Sequence, residues 1–457
     1  MNRPATAAQP GSTIETKSAP RGSSMDNSGP IPTASLSGTN AAGRTWRIER
    51  ALMRRVLSQL HEPPIGIALW DGTEVRSTHS EPRYTLRIHD RATLWRIARE
   101  PQFGFGEAYA DGRVSVVGDF AGFLRTVVAA TAPLSPAGRR KPGWWRRSKC
   151  TLHSSKENIH RHYDIGNEFY KLWLDDRMLY TCAYYREPEM TLEQAQIAKM
   201  DHVCRKLRLQ PGETVIEAGC GWGGFALHMA REYGVSVRAY NISREQIRFA
   251  REAARRENLD GKVEFVEDDW RNCSGSCDAF VSIGMLEHVG IENYTELGAV
   301  VERCLHGSGR GLIHSIGRNF PQRLNSWIER RIFPGAQPPA LSEAMDIFES
   351  QNLSVLDVEN LRLHYACTCR DWWSRFEERL EEVRDMFDDR FVRMWRLYLG
   401  TSMVSFECGT LQLFQILFAP GLNNSIPWTR AHQYVDAPQP ASGEVWKQMT
   451  AGMPGDR

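Results

Sequence analysis

The stretch ETVIEAGCGWGGFALHMA, residues 213–230, constrains the fold of this chain more than any other feature of its sequence. An apolar strand run ends at Glu217, a turn with four glycines follows, and an apolar-periodic helix begins directly after them. A strand, a glycine-rich turn and a helix in this order let the backbone approach a nucleotide closely. The stretch therefore predicts a nucleotide-like ligand at the start of a helix in an α/β sheet.

The residues around this turn favour S-adenosylmethionine over a dinucleotide. A dinucleotide-binding turn reads G-x-G-x-x-G and has an acid near the end of the second strand. Here the turn reads G-x-G-x-G-G, and the second strand ends RAYNIS without a carboxylate. The acid lies before the turn, at Glu217, where it would repel a pyrophosphate but suits an ammonium or sulfonium group. The spacing thus favours a methyltransferase, and a nicotinamide dehydrogenase is the alternative.

Strand and helix patterns alternate from Glu213 onward, which predicts a doubly wound, Rossmann-like α/β domain of the class I methyltransferase type. A small α+β domain is predicted before it, with a helix over 44–60, strands in PIGIALWDGTEV and RYTLRIHD, and helices in ATLWRIARE and FAGFLRTVVAA. GEAYADGRVSVVGD predicts a hairpin around Asp111-Gly112. The predicted boundaries are a disordered tail over 1–43, the α+β domain over 44–134, a basic linker over 135–156, the methyltransferase domain over 157–435 and a frayed tail over 436–457.

The composition is that of an ordinary globular protein, with 41% hydrophobic and 25% charged residues. A net charge of +2 gives no reason to expect nucleic acid as a partner. Ten cysteines occur without a secretory leader or paired zinc-ligand spacing, which predicts free thiols, a cytoplasmic location and no metal site. No apolar run approaches the ~20 residues that a membrane-spanning helix needs.

The linker SPAGRRKPGWWRRSKCTLHSSK is the one strongly basic segment. It carries seven lysines and arginines, no acid, and the pair Trp144-Trp145. Basic side chains beside tryptophans suit an anionic membrane surface, so the linker predicts a peripheral position at the inner face of the membrane. The alternative is a solvated linker whose tryptophans pack on a neighbouring domain.

Five motifs occur in one order with matching spacing: HYDIGNEFYKLWLDDRMLYTCAYY, VIEAGCGWGG, SIGMLEHVG, LIHSIG and LHYACTCRDWW. Together they resemble the cyclopropane fatty acid phospholipid synthase family, which is related to the mycolic acid cyclopropane synthases. The resemblance covers roughly residues 45–430 and is weaker in the N-terminal part. It implies transfer of a methylene group from S-adenosylmethionine to a cis double bond of an unsaturated phospholipid acyl chain. For the N-terminal domain it implies lipid capture and a contribution to a homodimer.

The resemblance also implies which residues contact the cofactor. Glu217 would meet its positive charge, Gln246 its ribose hydroxyls, and Asp269 with Trp270 would bracket the adenine. The full implied set is Tyr180, Thr181, Glu217, Gly219, Gly221, Gly223, Asn241, Gln246, Asp269 and Trp270.

The same resemblance implies a bound bicarbonate ion as the base. Methyl transfer to an alkene leaves a carbocation, and a base must then remove a proton so that the ring can close. The implied anion cage consists of Cys182, Glu287, His314, Ile316 and Tyr365, with Ile316 contributing only its backbone. A carboxylate beside an anion requires a shared proton, so we expect one of that pair to titrate high.

Alternatives remain open at this point. Deprotonation elsewhere would give a methylene-branched chain instead of a ring, and a later reduction a methyl branch. A catalytically inactive lipid-binding protein is an alternative of a different class. Ser402 stands where many family members have a cysteine, and because the reaction needs no thiolate there, we interpret it as a packing residue. We also interpret His288 as structural.

Overall fold

A computed structural model describes residues 43–78, 81–131 and 165–434 of the chain. The basic linker, the C-terminal tail and all but the last residue of the predicted N-terminal tail lie outside the described residues. Within the described ranges, no helix is both long and apolar enough to cross a membrane.

Residues 44–131 form a four-stranded sheet with four helices. The strands are β1 Ile65–Ala68, β2 Glu74–Arg76, β3 Tyr84–Ile88 and β4 Val114–Val117, in the order β2-β1-β3-β4. The helices are α1 Arg47–Gln59, α2 Arg91–Arg99, α3 Pro101–Ala110 and α4 Phe120–Thr131. Local sequence explains two of the helix starts. Asp90 caps α2 by accepting the backbone N–H of Thr93 at 2.8 Å, and Pro101 occupies the first position of α3.

The predicted hairpin around Asp111-Gly112 is wrong, because only its second half is a strand. Residues 101–110 form α3, and its buried face includes Gly104, Gly106 and Ala108. Because α3 is buried over most of its circumference, its sequence shows no apolar stripe at helical spacing. Without that stripe, the pattern of the segment predicts a strand instead of a helix. A Cβ atom at Gly106 would lie 2.3 Å from the ring of Trp327, so glycine permits this close contact.

The remaining described residues build a seven-stranded sheet in the order β10-β11-β9-β8-β5-β6-β7. Its strands are β5 Thr214–Ala218, β6 Ser236–Asn241, β7 Val263–Glu267, β8 Cys277–Ile283, β9 Leu305–Gly317, β10 Leu353–Asn360 and β11 Gln412–Pro420. Its helices are α5 Asn167–Lys171, α6 Leu192–Leu207, α7 Gly224–Tyr233, α8 Arg244–Arg256, α9 Leu286–Val289, α10 Tyr294–Cys304, α11 Ser326–Arg331, α12 Leu341–Ala344, α13 Asp346–Glu349, α14 Arg362–Glu378, α15 Leu380–Met386 and α16 Asp389–Glu407.

Strands β5 to β9 pair in parallel, which confirms the predicted doubly wound α/β fold. Strand β11 runs antiparallel to both β9 and β10 at one edge. Because β5, β6, β7 and β8 run in the same direction, their carboxyl ends lie together along one end of the strands, where ligands of such folds bind. The turn after β5 is held to β6 because the N–H groups of Gly219 and Cys220 both donate to the carbonyl of Tyr240, at 2.9 and 3.0 Å.

We expect Gly106→Ala to destabilise the protein, since the added methyl group meets Trp327. Overpacking of this kind costs about 1–3 kcal/mol. Without the clash, the same exchange inside a helix would stabilise it by up to ~1 kcal/mol. The thermal unfolding midpoint should therefore fall for Gly106→Ala and stay unchanged for the control Gly261→Ala, whose added Cβ has nothing within 4 Å. Equal midpoints for the two variants would contradict the contact between α3 and α11.

Candidate active site

The glycine-rich turn leaves open space beside a buried carboxylate. Glu217 is the penultimate residue of β5 and is 2% exposed. Gly219 has φ +86°, and a Cβ atom there would lie 2.9 Å from the side chain of Met285. Gly221 has φ +53°, and a Cβ atom there would meet nothing within 4 Å. The turn thus needs glycine for its backbone conformation and presents main chain to the cavity at its tip.

All predicted cofactor residues except Gly223 line one cavity at this edge of the sheet. Gly223 is the N-cap residue of α7, and a Cβ atom there would lie 2.6 Å from the ring of Phe265. Its glycine is explained by close helix packing, one of the roles that glycines have in such turns. The lining residues that were predicted are Tyr180, Thr181, Glu217, Gly219, Gly221, Asn241, Gln246, Asp269 and Trp270.

Asn241 connects the two sides of the cavity floor. Its Nδ2 donates to the carbonyl of Gly221 at 3.1 Å and to Oε1 of Gln246 at 2.8 Å. Because the Gln246 oxygen is engaged, its amide nitrogen is the group left to meet a ligand hydroxyl. This arrangement suits a ribose.

Asp269 and Trp270 lie where β7 leads into a short turn. The Asp269 Oδ1 accepts hydrogen bonds from the backbone N–H and the Nη1 of Arg271, both at 3.0 Å. The Arg271 guanidinium lies 4.4 Å from the centre of the Trp270 ring. Asp269 therefore holds the turn, and Trp270 lines the cavity with one ring face in contact with a cation.

Lys199 is a lining residue that the sequence reasoning missed. It is fully buried on α6, and its Nζ donates to Oγ1 of Thr181 at 2.8 Å. Burial lowers the pKa of Lys199 to about 8, opposed by Asp175, Cys182 and Glu217. Burial also raises the pKa of Glu217 to about 8, opposed by Lys199. A lysine among the apolar positions of QIAKMDHV was the available sequence signal.

Glu287 and Ile316, predicted for the anion cage, are in direct contact. The Oε1 of Glu287 accepts the backbone N–H of Ile316 at 2.6 Å. The Oε2 of Glu287 is buried without a hydrogen-bond partner in the described part of the chain. Burial raises the pKa of this carboxyl to about 7. Ile316, predicted to contribute only its backbone to the cage, thus binds the Glu287 carboxylate through its backbone N–H.

His314 lies two residues before Ile316 on β9, so both side chains are on the same face of the sheet. Its Nδ1 lies 3.1 Å from Nε2 of Gln415. Burial lowers the pKa of His314 well below 6.5, so the ring is neutral. With the Gln415 amide donating to Nδ1, the ring proton is on Nε2, which is buried without a partner among the described residues.

Tyr365 lies within electrostatic reach of Cys182 and Glu287. Burial raises the pKa of the Tyr365 hydroxyl well above 10, and Cys369, Tyr398, Cys182 and Glu287 raise it further. Cys182 is fully buried, its Sγ donates to the carbonyl of Ala183 at 3.1 Å, and burial raises its thiol pKa. Cys182 therefore stays a thiol at neutral pH.

The donors of this group fit a small oxyanion. A neutral imidazole, a phenol and a carboxyl that is half protonated near pH 7 can each donate to an oxygen. The unpartnered Oε2 of Glu287 and Nε2 of His314 are the buried polar atoms that such an anion would satisfy. His288, interpreted as structural, lines the neighbouring cavity, and its role stays a prediction.

The sequence of this chain matches a family model and several known proteins. The family model described as mycolic acid cyclopropane synthetase matches residues 151–416, and a domain of unknown function matches residues 52–134. The chain is 36% identical over 390 residues to a protein of Pseudomonas putida named "Probable fatty acid methyltransferase", covering 83% of this chain and 98% of that one. It is 34% identical over 353 residues to the cyclopropane-fatty-acyl-phospholipid synthase of Escherichia coli K12, covering 75% and 89%.

A solved structure shares the fold of the site region. It is the mycolic acid cyclopropane synthase CmaA1 complexed with S-adenosylhomocysteine and CTAB, with 27% identity and a TM-score of 0.55. The similarity covers 57% of this chain and 97% of that one.

We expect Glu217→Gln to weaken the binding of S-adenosylhomocysteine about tenfold or more. The variant loses a charge-assisted hydrogen bond to the ammonium group of that ligand. In the wild type the carboxyl is protonated below about pH 8, and a bound cation favours its charged form. Binding near pH 7 should therefore release a proton, and affinity should rise with pH up to about 8. Calorimetry in buffers of different ionisation enthalpy measures both effects.

The matched control is Glu267→Gln, at the exposed end of β7 and outside the cavity. It should bind and release protons like the wild type. Wild-type affinity in Glu217→Gln would contradict the assignment of Glu217 to the cofactor.

Proposed function

Because the chain belongs to the mycolic acid cyclopropane synthetase family, we propose that it forms a cyclopropane ring on an unsaturated phospholipid acyl chain. The enzyme is an S-adenosylmethionine-dependent methyltransferase of the cyclopropane-fatty-acyl-phospholipid synthase family. The proposed acceptor is a cis double bond. The observation that carries the proposal is the contact of Glu287 with Ile316, with the Glu287 Oε2 buried and unpartnered among the described residues and the adjacent His288 lining the cofactor cavity.

An alkene is a weak nucleophile, so the chemistry depends on positioning and on placing charge where a cation develops. When bound, S-adenosylmethionine would supply an electrophilic methyl group, and a bicarbonate ion would supply the base for a proton of that methyl group, whose C–H electron pair forms the last bond of the ring. In the cofactor cavity, Glu217 and Lys199 provide the charges that act on the ammonium group of the cofactor, and Gln246 orients its ribose.

The residues of the anion cage hold the base without supplying a thiolate or an imidazolium. His314 donates from Nε2, Tyr365 donates its hydroxyl, and Glu287 shares a proton with the anion while Oε1 stays bound to Ile316. Burial excludes water, which would otherwise capture the carbocation. Cys182 contributes a small, neutral side chain.

A second product is favoured by one observation, the similarity to a protein named as a fatty acid methyltransferase. If a 1,2-hydride shift first moves the cation to the carbon that bears the new methyl group, loss of a proton from that methyl group gives a methylene-branched chain. The cofactor and the cation are the same in both cases.

The proposed substrate requires access to a membrane surface. Trp46 and Ile48, at the start of α1, are more than half exposed, and arginines surround them in the sequence. Apolar side chains among cations suit an anionic lipid interface, as does the basic linker. A peripheral position at the inner face of the membrane and a homodimer stay proposals.

The direct test is incubation of the purified protein with S-adenosylmethionine and vesicles of unsaturated phospholipid. Each modified chain should gain the mass of one CH₂ group with release of S-adenosylhomocysteine. Proton NMR should then show the far-upfield signal of a cis-cyclopropane. An exocyclic methylene signal would favour the branched product, and unmodified lipid would contradict both.

We expect Glu287→Ala to lower kcat by roughly 10²–10³-fold, as removal of one oxyanion contact does. Glu287→Gln mimics the protonated carboxyl and should retain more activity. The wild-type rate should fall as pH rises through about 7, because the ionised Glu287 then repels the anion, and this limb should vanish in Glu287→Gln. Steady-state rates against pH provide the measurement.

The exposed Glu302→Gln on α10 is the control, and all variants should bind S-adenosylhomocysteine normally. A wild-type pH profile in Glu287→Gln would contradict the proposal that Glu287 shares a proton with the base.

A further inference from the structure

A second cavity, of about 670 Å³, lies at the carboxyl end of β9. It shares no lining residue with the cofactor cavity. Two arginines, one histidine, amides and a hydroxyl line it, and no aspartate or glutamate is among the described lining residues. The lining residues that matter here are Arg318, Asn319, Asn360, Arg362, His364 and Thr410.

Arg318 is a buried cation that forms no ion pair with an aspartate or glutamate of the described residues. The residue lines this cavity and is 6% exposed, and its Nε is buried with no hydrogen-bond partner in the described ranges. Burial lowers the pKa of Arg318 to about 10, opposed by Glu343, so the guanidinium remains charged at neutral pH. A buried charge with no partner is costly, and a bound anion would remove that cost.

Arg362 is fixed on the other side of the cavity. Its Nη1 donates to the carbonyls of Phe406 and Glu407, at 2.5 and 2.9 Å, at the end of α16. Its backbone N–H donates to Oδ1 of Asn360 at 3.0 Å. Burial lowers the pKa of His364, whose Nδ1 accepts the backbone N–H of Tyr185 at 3.1 Å, so this neighbour is neutral. The position of the Arg362 cation is therefore set before any ligand arrives.

We propose that this cavity binds a phosphate group, and that its occupant is the phosphodiester of the phospholipid substrate. The assignment of the occupant rests on the proposed function. Two planar guanidinium groups match the paired oxygens of a phosphodiester, and neutral amides and a hydroxyl can complete the donors. The volume leaves room for the attached glycerol and headgroup.

The chain places this cavity next to the anion cage. Arg318 follows Ile316 by two residues on the continuation of β9, and Arg362 precedes Tyr365 by one turn of α14. A lipid phosphate held by the arginines would therefore anchor the molecule whose acyl chain enters the active site.

Binding is measured by calorimetry with two probes, inorganic phosphate and a short-chain phosphatidylglycerol below its micelle concentration. The lipid should bind to the wild type, and Arg318→Gln and Arg362→Gln should each weaken it about tenfold. The control Arg370→Gln, exposed on α14 and outside the cavity, should leave binding unchanged. Wild-type binding by both cavity variants would overturn the site. Binding of inorganic phosphate alone would overturn the headgroup assignment.

Kinetics in mixed micelles give the second readout. Arg318→Gln should raise KM about tenfold for an unsaturated phospholipid and leave kcat unchanged. With an unsaturated diacylglycerol, which lacks phosphate, the variant and the wild type should be equal. An equal rise in the KM of Arg318→Gln for the phospholipid and for the diacylglycerol would overturn the proposal. If neither lipid yields product while the calorimetric differences persist, the proposed function fails and the phosphate site stands.

Discussion

The hydrogen bond from the Ile316 backbone to the Glu287 carboxylate joins the two chain segments on which the proposed chemistry depends. Glu287 follows β8 and Ile316 is the penultimate residue of β9, so the contact exists because these strands pair in parallel and finish on the same side of the sheet. The bond leaves the second carboxylate oxygen buried and unsatisfied. The proposed oxyanion would give this atom a hydrogen-bond partner, which buried polar atoms normally have.

Lys199 connects this group electrostatically with the cofactor cavity. Its Nζ binds Thr181, and its charge shifts the pKa of Glu217, Cys182 and His314. Because the amine is buried, its charge is weakly screened. Burial keeps His314 neutral and the charge of Lys199 lowers its pKa further, while the same charge opposes the raised pKa of Glu217, the carboxylate that would meet the cofactor's ammonium group. One buried cation thus affects both halves of the proposed reaction.

Local sequence was sufficient for the fold and for the position of the cofactor cavity. The strand, the four glycines and the helix that follow one another around Glu217 occur in few folds, so this stretch alone predicts an α/β fold with a ligand at the turn. The helix over 101–110 was missed because burial over most of its circumference removes the apolar periodicity that reveals helices. Lys199 and Gln415 were missed for another reason. Their roles come from contacts across strands and helices, to Thr181 and His314, which no local pattern encodes.

The central claim is that a small anion binds between Glu287, His314 and Tyr365 and faces the cofactor. A crystal structure of the protein grown with S-adenosylhomocysteine and bicarbonate tests it most directly. The account predicts a planar trigonal ion that contacts all three side chains, with Glu217 at the ammonium group of the ligand. Three side chains turned away from the sulfur of the ligand, with no ion between them, would contradict it.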